Sequence, residues 1–426
     1  MEAKLNPLFE AAVKEKRVPG IGAMVVDSKG NFLLKETFGT NNLADTNAAS
    51  FDADTTMQMH SCTKLLTSIA ALQLMEQGKL SLADPVEKFV PRISRVQVLE
   101  SFTTGDQPQP ILRTPKSKPT ILQLLTHTAG FSYDIFDVPT LQFRMSTGRA
   151  PASYHTTGVW EDFETPLLAD PGTKYIYGIN TDWLGFVVQN VSGILLPEYI
   201  DQMILRLLGM NATSAYLTEG KERLLTHFNI DDKLNADPDA KNSETVDIWG
   251  GGAYIYSTMN DYAKLLATIL NEGTSPETHN SILKPATIKE YLFTDHLPSN
   301  IDKSLLGEIG TSIPLLSSEG SFFPSLPISS RGWSCGLLLN HEDLPYGRKK
   351  GSGAWCGLGN LYYWIDPASN MAGMVCSAIL PFFNPSVMKL FDQVERVAYG
   401  HDVSGPEDDG KGNHRIGPSG SSQVQI

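Results

Sequence analysis

The chain has 426 residues, with 34 Lys and Arg against 47 Asp and Glu, so its formal net charge is −13. At roughly 100–200 residues per domain, this length predicts two or three domains, or one large fold with an insertion. The hydrophobic fraction of 41% is too high for a disordered chain. The acidic balance argues against nucleic-acid binding, because no basic stripe is available to displace counterions.

The four cysteines are far apart in the sequence, at positions 62, 335, 356 and 376. No C-x-x-C pair occurs, which is typical of free thiols in a reducing compartment. The charged first 16 residues lack the apolar core of a signal peptide. No run reaches the roughly 18 apolar residues of a membrane span. The sequence therefore predicts a soluble, cytoplasmic protein without a membrane partner.

Strand patterns occur at both ends of the chain. After an amphipathic helix at residues 2–16, residues 21–26 and 32–34 predict a hairpin. Near the other end, the sequence predicts three further strands and a closing helix, at 333–339, 361–365, 371–380 and 385–399. Between the two ends lie short helical patterns joined by loops, at 121–127, 183–191, 197–208 and 261–270.

This arrangement predicts an α+β fold, in which an antiparallel sheet is built from both termini with flanking helices and a large, mainly helical insertion. The predicted units are an α/β region formed by 1–85 and 325–400, and the helical region 86–324. Residues 401–426 are rich in Gly, Ser, Pro and Asp and predict a flexible tail.

Ser61-Cys62-Thr63-Lys64 opens the strongest helical pattern, which runs to about residue 77. Residues three apart share a helix face, with Cβ atoms about 5–6 Å apart. A serine hydroxyl becomes a nucleophile when a base takes its proton, and a lysine can be that base if burial lowers its pKa. The start of a helix also offers free N–H groups to a developing oxyanion. The spacing alone is a weak signal, because Ser61 could simply cap the helix.

Four more segments follow this tetrapeptide in order, at 124–131, 175–183, 250–258 and 355–360. Together the five motifs resemble the serine β-lactamase and penicillin-binding-protein superfamily over roughly residues 6–400. Within it the chain is most similar to the class C-like esterases and the fungal lovastatin-type acyltransferases. The resemblance implies the β-lactamase-like fold and a catalytic triad of Ser61, Lys64 and Tyr177.

The resemblance also implies that Tyr177 passes protons to or from the attacking oxygen, with a pKa depressed by the nearby lysine. Many relatives have Tyr-x-Asn at this place, whereas here Asn180 comes one position late. This departure weakens a β-lactamase interpretation and favours an esterase or an acyltransferase.

The third motif of the family is Lys-Thr-Gly in β-lactamases, and this chain lacks that tripeptide. Two segments compete for its place, Lys349-Lys350-Gly351 and Trp355-Cys356-Gly357. We favour the second, because it has the right distance to the strand at 364–366. The resemblance then implies that the backbone N–H groups of Ser61 and Leu358 form the oxyanion hole. Trp355 and Gly357 would contact the substrate.

Two more residues match pocket positions of the family, Tyr133 and Phe382, although either could be plain packing. Gly332-Trp333-Ser334-Cys335-Gly336 matches the G-x-S-x-G elbow of α/β-hydrolases, but a strand pattern follows where that elbow needs a helix. The glycines at 250–252 lack the context of a phosphate loop and predict a tight backbone approach. The nine dispersed histidines predict no metal site.

The resemblance implies a serine acyl-transfer enzyme that works through an acyl-enzyme, without metal or cofactor. The expected reaction moves an acyl group from an ester or thioester to a hydroxyl of a small secondary metabolite. A thioester donor would be carried by a carrier protein or by coenzyme A. Two alternatives stay open. One is a carboxylesterase or β-lactamase-like hydrolase, and the other is a non-catalytic or unusual-chemistry protein, performing elimination or cyclisation on the same fold.

Overall fold

The computed structural model describes residues 1–149, 158–217, 223–239, 241, 246, 248–322 and 325–404. The α-helices in these residues are α1 Glu2–Lys14, α2 Thr63–Glu76, α3 Ile121–Leu125, α4 Val138–Ser146, α5 Asn180–Ser192, α6 Leu196–Ile200, α7 Arg206–Leu208, α8 Met259–Leu270, α9 Pro285–Thr287 and α10 Pro385–Ala398. The strands are β1 Gly20–Val26, β2 Phe32–Gly39, β3 Met57–Gln58, β4 Val98–Phe102, β5 Pro110–Arg113, β6 Thr226–Ile230, β7 Lys233–Asp237, β8 Tyr256–Ser257, β9 Glu308–Ile309, β10 Gly320–Ser321, β11 Arg331–Trp333, β12 Leu338–Asn340, β13 Gly353–Gly357, β14 Leu361–Asp366, β15 Met371–Cys376 and β16 Ile379–Leu380.

The largest sheet joins the two ends of the chain. Its order is β11-β12-β13-β14-β15-β1-β2, and every neighbouring pair is antiparallel. The junction lies between β1 and β15, where Met24 pairs with Met374. All seven residues of β1 are buried. Because successive side chains of a strand point to opposite faces, both faces of the sheet are covered there. The predicted α+β fold with a sheet built from both termini is confirmed.

The predicted single strand at 333–339 is wrong. The chain forms two short strands, β11 and β12, which pair with each other as a hairpin. Between them Ser334 and Leu337 exchange hydrogen bonds, including one from the Leu337 N–H to Ser334 Oγ at 3.0 Å. The apolar run Leu337–Leu339 concealed this turn in the sequence, because the turn uses a serine hydroxyl and not a glycine at positive φ.

Residues 86–324 contain α3 to α9, as the predicted helical region requires. They also hold two hairpins that the prediction did not include, β4–β5 and β6–β7. The boundaries of the predicted units stay predictions. The flexible tail predicted for 401–426 lies outside the described residues from 405 onward. Across the described part of the chain, no helix combines the length and apolarity needed to cross a membrane.

The helix predicted from residue 61 is confirmed as α2, which is buried from Thr63 to Leu74 and packs against α5. One 3₁₀ turn, His60–Cys62, leads into it from β3. His60 adopts a φ of +46°, so the chain turns sharply just before Ser61. β3 pairs with β8. This pairing brings the segment at 250–257 alongside the first turns of α2.

Candidate active site

Ser61, in the 3₁₀ turn that leads into α2, contacts Lys64 in the first turn of α2, with 3.1 Å between Lys64 Nζ and Ser61 Oγ. Lys64 is 2% exposed. Its Nζ also donates to the hydroxyl of Tyr133 at 2.8 Å and to the carbonyl of Gly252 at 2.9 Å. A lysine ammonium has three N–H donors, and these three acceptors use all of them.

Burial lowers the pKa of Lys64 to about 8, and the nearby Asp182 carboxylate opposes part of that decrease. An ordinary lysine pKa of about 10.4 would leave almost no free amine at neutral pH. A pKa of about 8 leaves a usable fraction of Lys64 neutral. The geometry and the charge state therefore both allow this side chain to accept the Ser61 proton.

Tyr177 lies beside Ser61 and Lys64. Its hydroxyl forms a hydrogen bond with Ser61 and accepts another from Trp355 Nε1 at 3.3 Å. Lys64 Nζ is 5.2 Å from the centre of the Tyr177 ring. The expected depression of the Tyr177 pKa is wrong, because burial raises that pKa well above its ordinary value. The resting side chain is thus a neutral phenol, which can relay a proton by giving up its own as it receives another.

Asn180, which comes one position late for the Tyr-x-Asn pattern, is buried below this loop. Its Nδ2 donates to the carbonyls of Ile176 at 3.2 Å and Phe131 at 3.4 Å. These bonds tie the loop that carries Tyr177 to the loop that carries Tyr133, and the two tyrosine rings lie 5.6 Å apart. Asn180 thus supports the site from behind.

Tyr133 is therefore more central than the sequence indicated, since its hydroxyl bonds directly to Lys64. The same hydroxyl donates to Asp182 Oδ2 at 3.2 Å. The sequence analysis did not single out Asp182, although a lone carboxylate among buried residues near the start of α5 is a usable signal. It is 6% exposed. Its Oδ1 accepts the backbone N–H of Gly252 at 2.9 Å.

The glycine run at 250–252 makes the tight backbone approach that the sequence predicts. A Cβ atom on Gly252 would lie 2.6 Å from Asp182 Oδ2. One on Gly250 would lie 2.5 Å from Asp182 Oδ1. Only a backbone without side chains can wrap this carboxylate so closely. That prediction is confirmed, and the partner of the glycines proves to be Asp182.

β13 brings the favoured third motif to the site. Trp355 is buried and its indole reaches Tyr177, while Gly357 ends the strand against the residues before Ser61. A Cβ on Gly357 would lie 2.5 Å from the carbonyl oxygen of Met59. This contact sets Leu358 beside the turn that carries Ser61. The competing Lys349 and Lys350 lie in an exposed turn, where Lys349 Nζ pairs with Asp343 at 3.1 Å.

Aromatic rings extend from this centre. Phe136 lies 6.1 Å from the Tyr177 ring and 6.2 Å from the Phe382 ring, so Phe382 is one ring removed from the reacting groups. Phe322 stacks on Trp355 at 5.2 Å. The groups around Ser61 are therefore largely apolar beyond Lys64 and Asp182, which suits an uncharged acyl chain.

Ser334 lies in the β11–β12 turn and is fully buried. Its hydroxyl bonds to the backbone of Leu337 in both directions, at 3.3 Å as donor and 3.0 Å as acceptor. In the residues the structure describes, no cluster of three or more His, Cys, Asp or Glu side chains is arranged to hold a metal ion.

Comparison with known proteins identifies the family and the fold. The sequence profile of the family described as Beta-lactamase matches residues 5–386. Monacolin J acid methylbutanoyltransferase of Aspergillus terreus is 28% identical over 406 residues, which cover 93% of this chain and 95% of that protein. Lovastatin esterase of Penicillium rubens is 29% identical over 394 residues, covering 88% and 93%.

Among solved structures, a mutant simvastatin synthase of Aspergillus terreus superimposes with a TM-score of 0.79 at 27% identity, over 93% of each chain. Together the profile, the relatives and this structure confirm the resemblance drawn from the five sequence motifs. They also confirm the fold that the resemblance implied.

Proposed function

The chain belongs to the β-lactamase family, and from that membership we propose that it is a serine acyltransferase. In this proposal Ser61 is the nucleophile, Lys64 is its base, and Tyr177 exchanges protons with the attacking and leaving groups. The observation that carries the proposal is the 3.1 Å contact between Ser61 Oγ and the buried Lys64, whose pKa is lowered to about 8.

The first step forms an acyl-enzyme. Neutral Lys64 takes the proton of Ser61 while Oγ bonds to the carbonyl carbon of the acyl donor. The resulting oxyanion faces the backbone N–H groups of Ser61 and Leu358. When the intermediate collapses, the bond to the leaving sulfur or oxygen breaks. The leaving group takes the proton from the Lys64 ammonium, directly or through Tyr177.

The second step runs the same chemistry in reverse order. The hydroxyl of the acceptor gives its proton to the neutral amine of Lys64, directly or through Tyr177, and attacks the acyl carbonyl. The bond to Ser61 Oγ breaks, and Ser61 recovers its proton. The products are an ester and the free enzyme, so the cycle needs no cofactor.

The substrate class follows from the relatives and from the pocket. Related proteins carry the names methylbutanoyltransferase and acyltransferase. We therefore propose transfer to a hydroxyl of a small secondary metabolite, with a thioester on a carrier protein or coenzyme A as donor. Trp355 occupies the position where β-lactamases carry a lysine, and its indole N–H is used by Tyr177. This favours uncharged acyl groups over a β-lactam carboxylate. A cytoplasmic location stays a prediction.

Ester hydrolysis is the second candidate, because the relative named lovastatin esterase is 29% identical over most of the chain. The same groups serve water as acceptor. The two candidates differ in how the acyl-enzyme partitions between alcohol and water.

The test is intact-mass measurement after exposure to a panel of short-chain acyl thioesters, with and without an alcohol acceptor. We expect a mass gain equal to the acyl group, lost in Ser61→Ala and kept in Ser334→Ala. Addition of the acceptor should speed turnover and yield ester. Equal turnover with and without acceptor, giving only free acid, would assign hydrolysis. A mass gain that survives Ser61→Ala would overturn the proposal.

A further inference from the structure

Lys64 and Asp182 are joined by two separate bridges. In the first, the Tyr133 hydroxyl accepts from Lys64 Nζ at 2.8 Å and donates to Asp182 Oδ2 at 3.2 Å. In the second, one glycine serves both groups, because the Gly252 carbonyl accepts from Lys64 Nζ at 2.9 Å and its N–H donates to Asp182 Oδ1 at 2.9 Å. The carboxylate therefore orients two of the three acceptors of the lysine, Tyr133 and Gly252.

These bridges matter most when Lys64 is a neutral amine. An amine has two N–H donors and one lone pair. If Tyr133 and Gly252 take both N–H groups, the remaining direction at Nζ is the one toward Ser61 Oγ. Building on the proposed function, we propose that Asp182 is a positioning residue for acyl transfer: through Tyr133 and Gly252 it aims the lone pair of Lys64 at the Ser61 hydroxyl.

Three observations support an acceptor role for Asp182. Both of its oxygens receive a hydrogen bond, from a phenol and from a backbone N–H, which suits the carboxylate form. The Gly250–Gly252 backbone closes around it too tightly for any side chain. The side chain is also almost fully buried at 6% exposure, so water does not compete for these bonds.

The other ionisable groups around Lys64 are uncharged near neutral pH. Burial raises the pKa values of the thiols and phenols and lowers that of the histidine, for Cys62, Cys356, Tyr133, Tyr177 and His127. Burial raises the pKa of Asp182 as well, while Lys64 and the hydrogen bonds from Gly252 and Tyr133 oppose that rise, so Asp182 is the acidic group that acts on Lys64 from α5. A change of that charge should be visible in the titration of Lys64.

The experiment is the labelling rate of the full chain by a fluorophosphonate probe, measured from pH 5 to 10. Labelling needs an activated Ser61 but no acyl donor or acceptor, so failure of the acyltransferase proposal is distinguishable from failure of this one. For Asp182→Asn we expect the labelling rate at its high-pH plateau to fall about 10- to 100-fold. The midpoint should move down by about one pH unit, because the neutral amide no longer favours the lysine ammonium.

Asp261→Asn is the matched control. Asp261 is also buried, and it likewise accepts a backbone N–H, from Ala212 at 2.7 Å, and a hydroxyl, from Thr213 at 2.9 Å. The Asp261→Asn change should lower the midpoint of thermal unfolding while leaving the pH midpoint of labelling unchanged. A folded Asp182→Asn with the wild-type plateau and pH midpoint would overturn the proposal.

If Asp182→Asn does not fold, Tyr133→Phe decides the question. It removes one bridge and keeps the carboxylate charge. We expect a plateau about tenfold lower, with a smaller change in the pH midpoint than Asp182→Asn would give. An unchanged plateau in a folded Tyr133→Phe protein would equally contradict the positioning role.

Discussion

Ser61 and Ser334 each follow a short strand, β3 and β11, yet their hydroxyls have opposite surroundings. Ser61 lies at the start of the long helix α2, where Lys64 and Tyr177 both reach its oxygen. Ser334 enters a hairpin turn, where its oxygen bonds in both directions to the backbone of Leu337. The first hydroxyl is held by groups that can exchange protons, and the second by groups that cannot.

Under the proposed mechanism, this difference in surroundings is what makes one serine a nucleophile and the other a structural residue. The residues around Ser334 match the sequence motif of a nucleophile elbow, but the element that follows is the strand β12. The Ser334 hydroxyl bonds to the Leu337 backbone and not to a base. The residues around Ser61 form a weaker pattern in the sequence. The fold, however, brings three partners from distant segments to the Ser61–Lys64 pair: Tyr133, Tyr177 and Gly252. Reactivity depends on the element that follows the serine and on what that element faces.

Removing each hydroxyl in turn tests most directly whether the two serines differ in function. Ser61→Ala should lower kcat/KM for an acyl thioester by about 10⁴-fold or more, because the covalent route is lost. Ser334→Ala should keep activity within about twofold and lower the thermal midpoint slightly, since its turn loses the two hydrogen bonds of the serine hydroxyl. Steady-state kinetics and thermal melts on both variants check this. Comparable activity losses in the two would remove the distinction between them.

Much of the fold was predictable, because strong local patterns carry it. The amphipathic α1, the buried α2 and the β14–β15 pair all follow from residue spacing and turn residues. The hairpin at Ser334 was not predictable in the same way. Its turn is closed by the Ser334 hydroxyl next to an apolar run, and its one glycine, Gly336, does not adopt a positive φ.

The sequence predicts which residues belong to the Ser61–Lys64 motif, but it does not predict most of their contacts. Ser61 and Lys64 are close in sequence, so helix spacing alone brings them together. Tyr133 and Asp182 reach Lys64 from segments about 70 and 120 residues away, and no spacing rule connects them. The raised pKa of Tyr177 was likewise missed, because it depends on burial that only the folded chain provides.

Two glycines offer a finer comparison of the serine regions. An alanine at Gly357 would place its Cβ 2.5 Å from the Met59 carbonyl, forcing β13 away from Ser61. We expect Gly357→Ala to lower kcat about 10²- to 10³-fold, since the Leu358 N–H would leave the oxyanion hole. At Gly336, in the Ser334 turn, the new Cβ would lie 3.2 Å from Ser68, a contact that a small shift relieves.

Gly336→Ala should therefore change kcat little, and thermal melts should show that both variants fold. If Gly336→Ala lowers kcat as much as Gly357→Ala, then the loss reflects general packing and the oxyanion-hole assignment of Leu358 fails.

The pH dependence of kcat/KM tests whether Ser61 is activated by a neighbouring base. In the proposed mechanism the neutral amine of Lys64 is the active form, so kcat/KM should rise about tenfold per pH unit below a pKa of about 8 and level off above it. At pH 7 the rate should thus be about tenfold below the plateau. Rates of Ser61 acylation across pH 5 to 10 check this. A rise that continues without a plateau would indicate attack unaided by Lys64.

The smallest expected difference concerns the two tryptophans beside the serines, which pack edge to face at 4.6 Å. Trp355 Nε1 donates to the Tyr177 hydroxyl, whereas Trp333 Nε1 donates to the carbonyl of Leu125 at 3.1 Å. Each Trp→Phe change removes one hydrogen bond, which contributes about 1 kcal/mol. In Trp355→Phe the lost hydrogen bond should lower kcat about fivefold, because the Tyr177 phenol beside Ser61 is no longer held in place. In Trp333→Phe it should appear in the thermal midpoint with kcat unchanged, because the orphaned group is a structural carbonyl. Kinetics and melts on the pair measure this, and equal kcat losses would mean that the indole of Trp355 supports the pocket only by its volume.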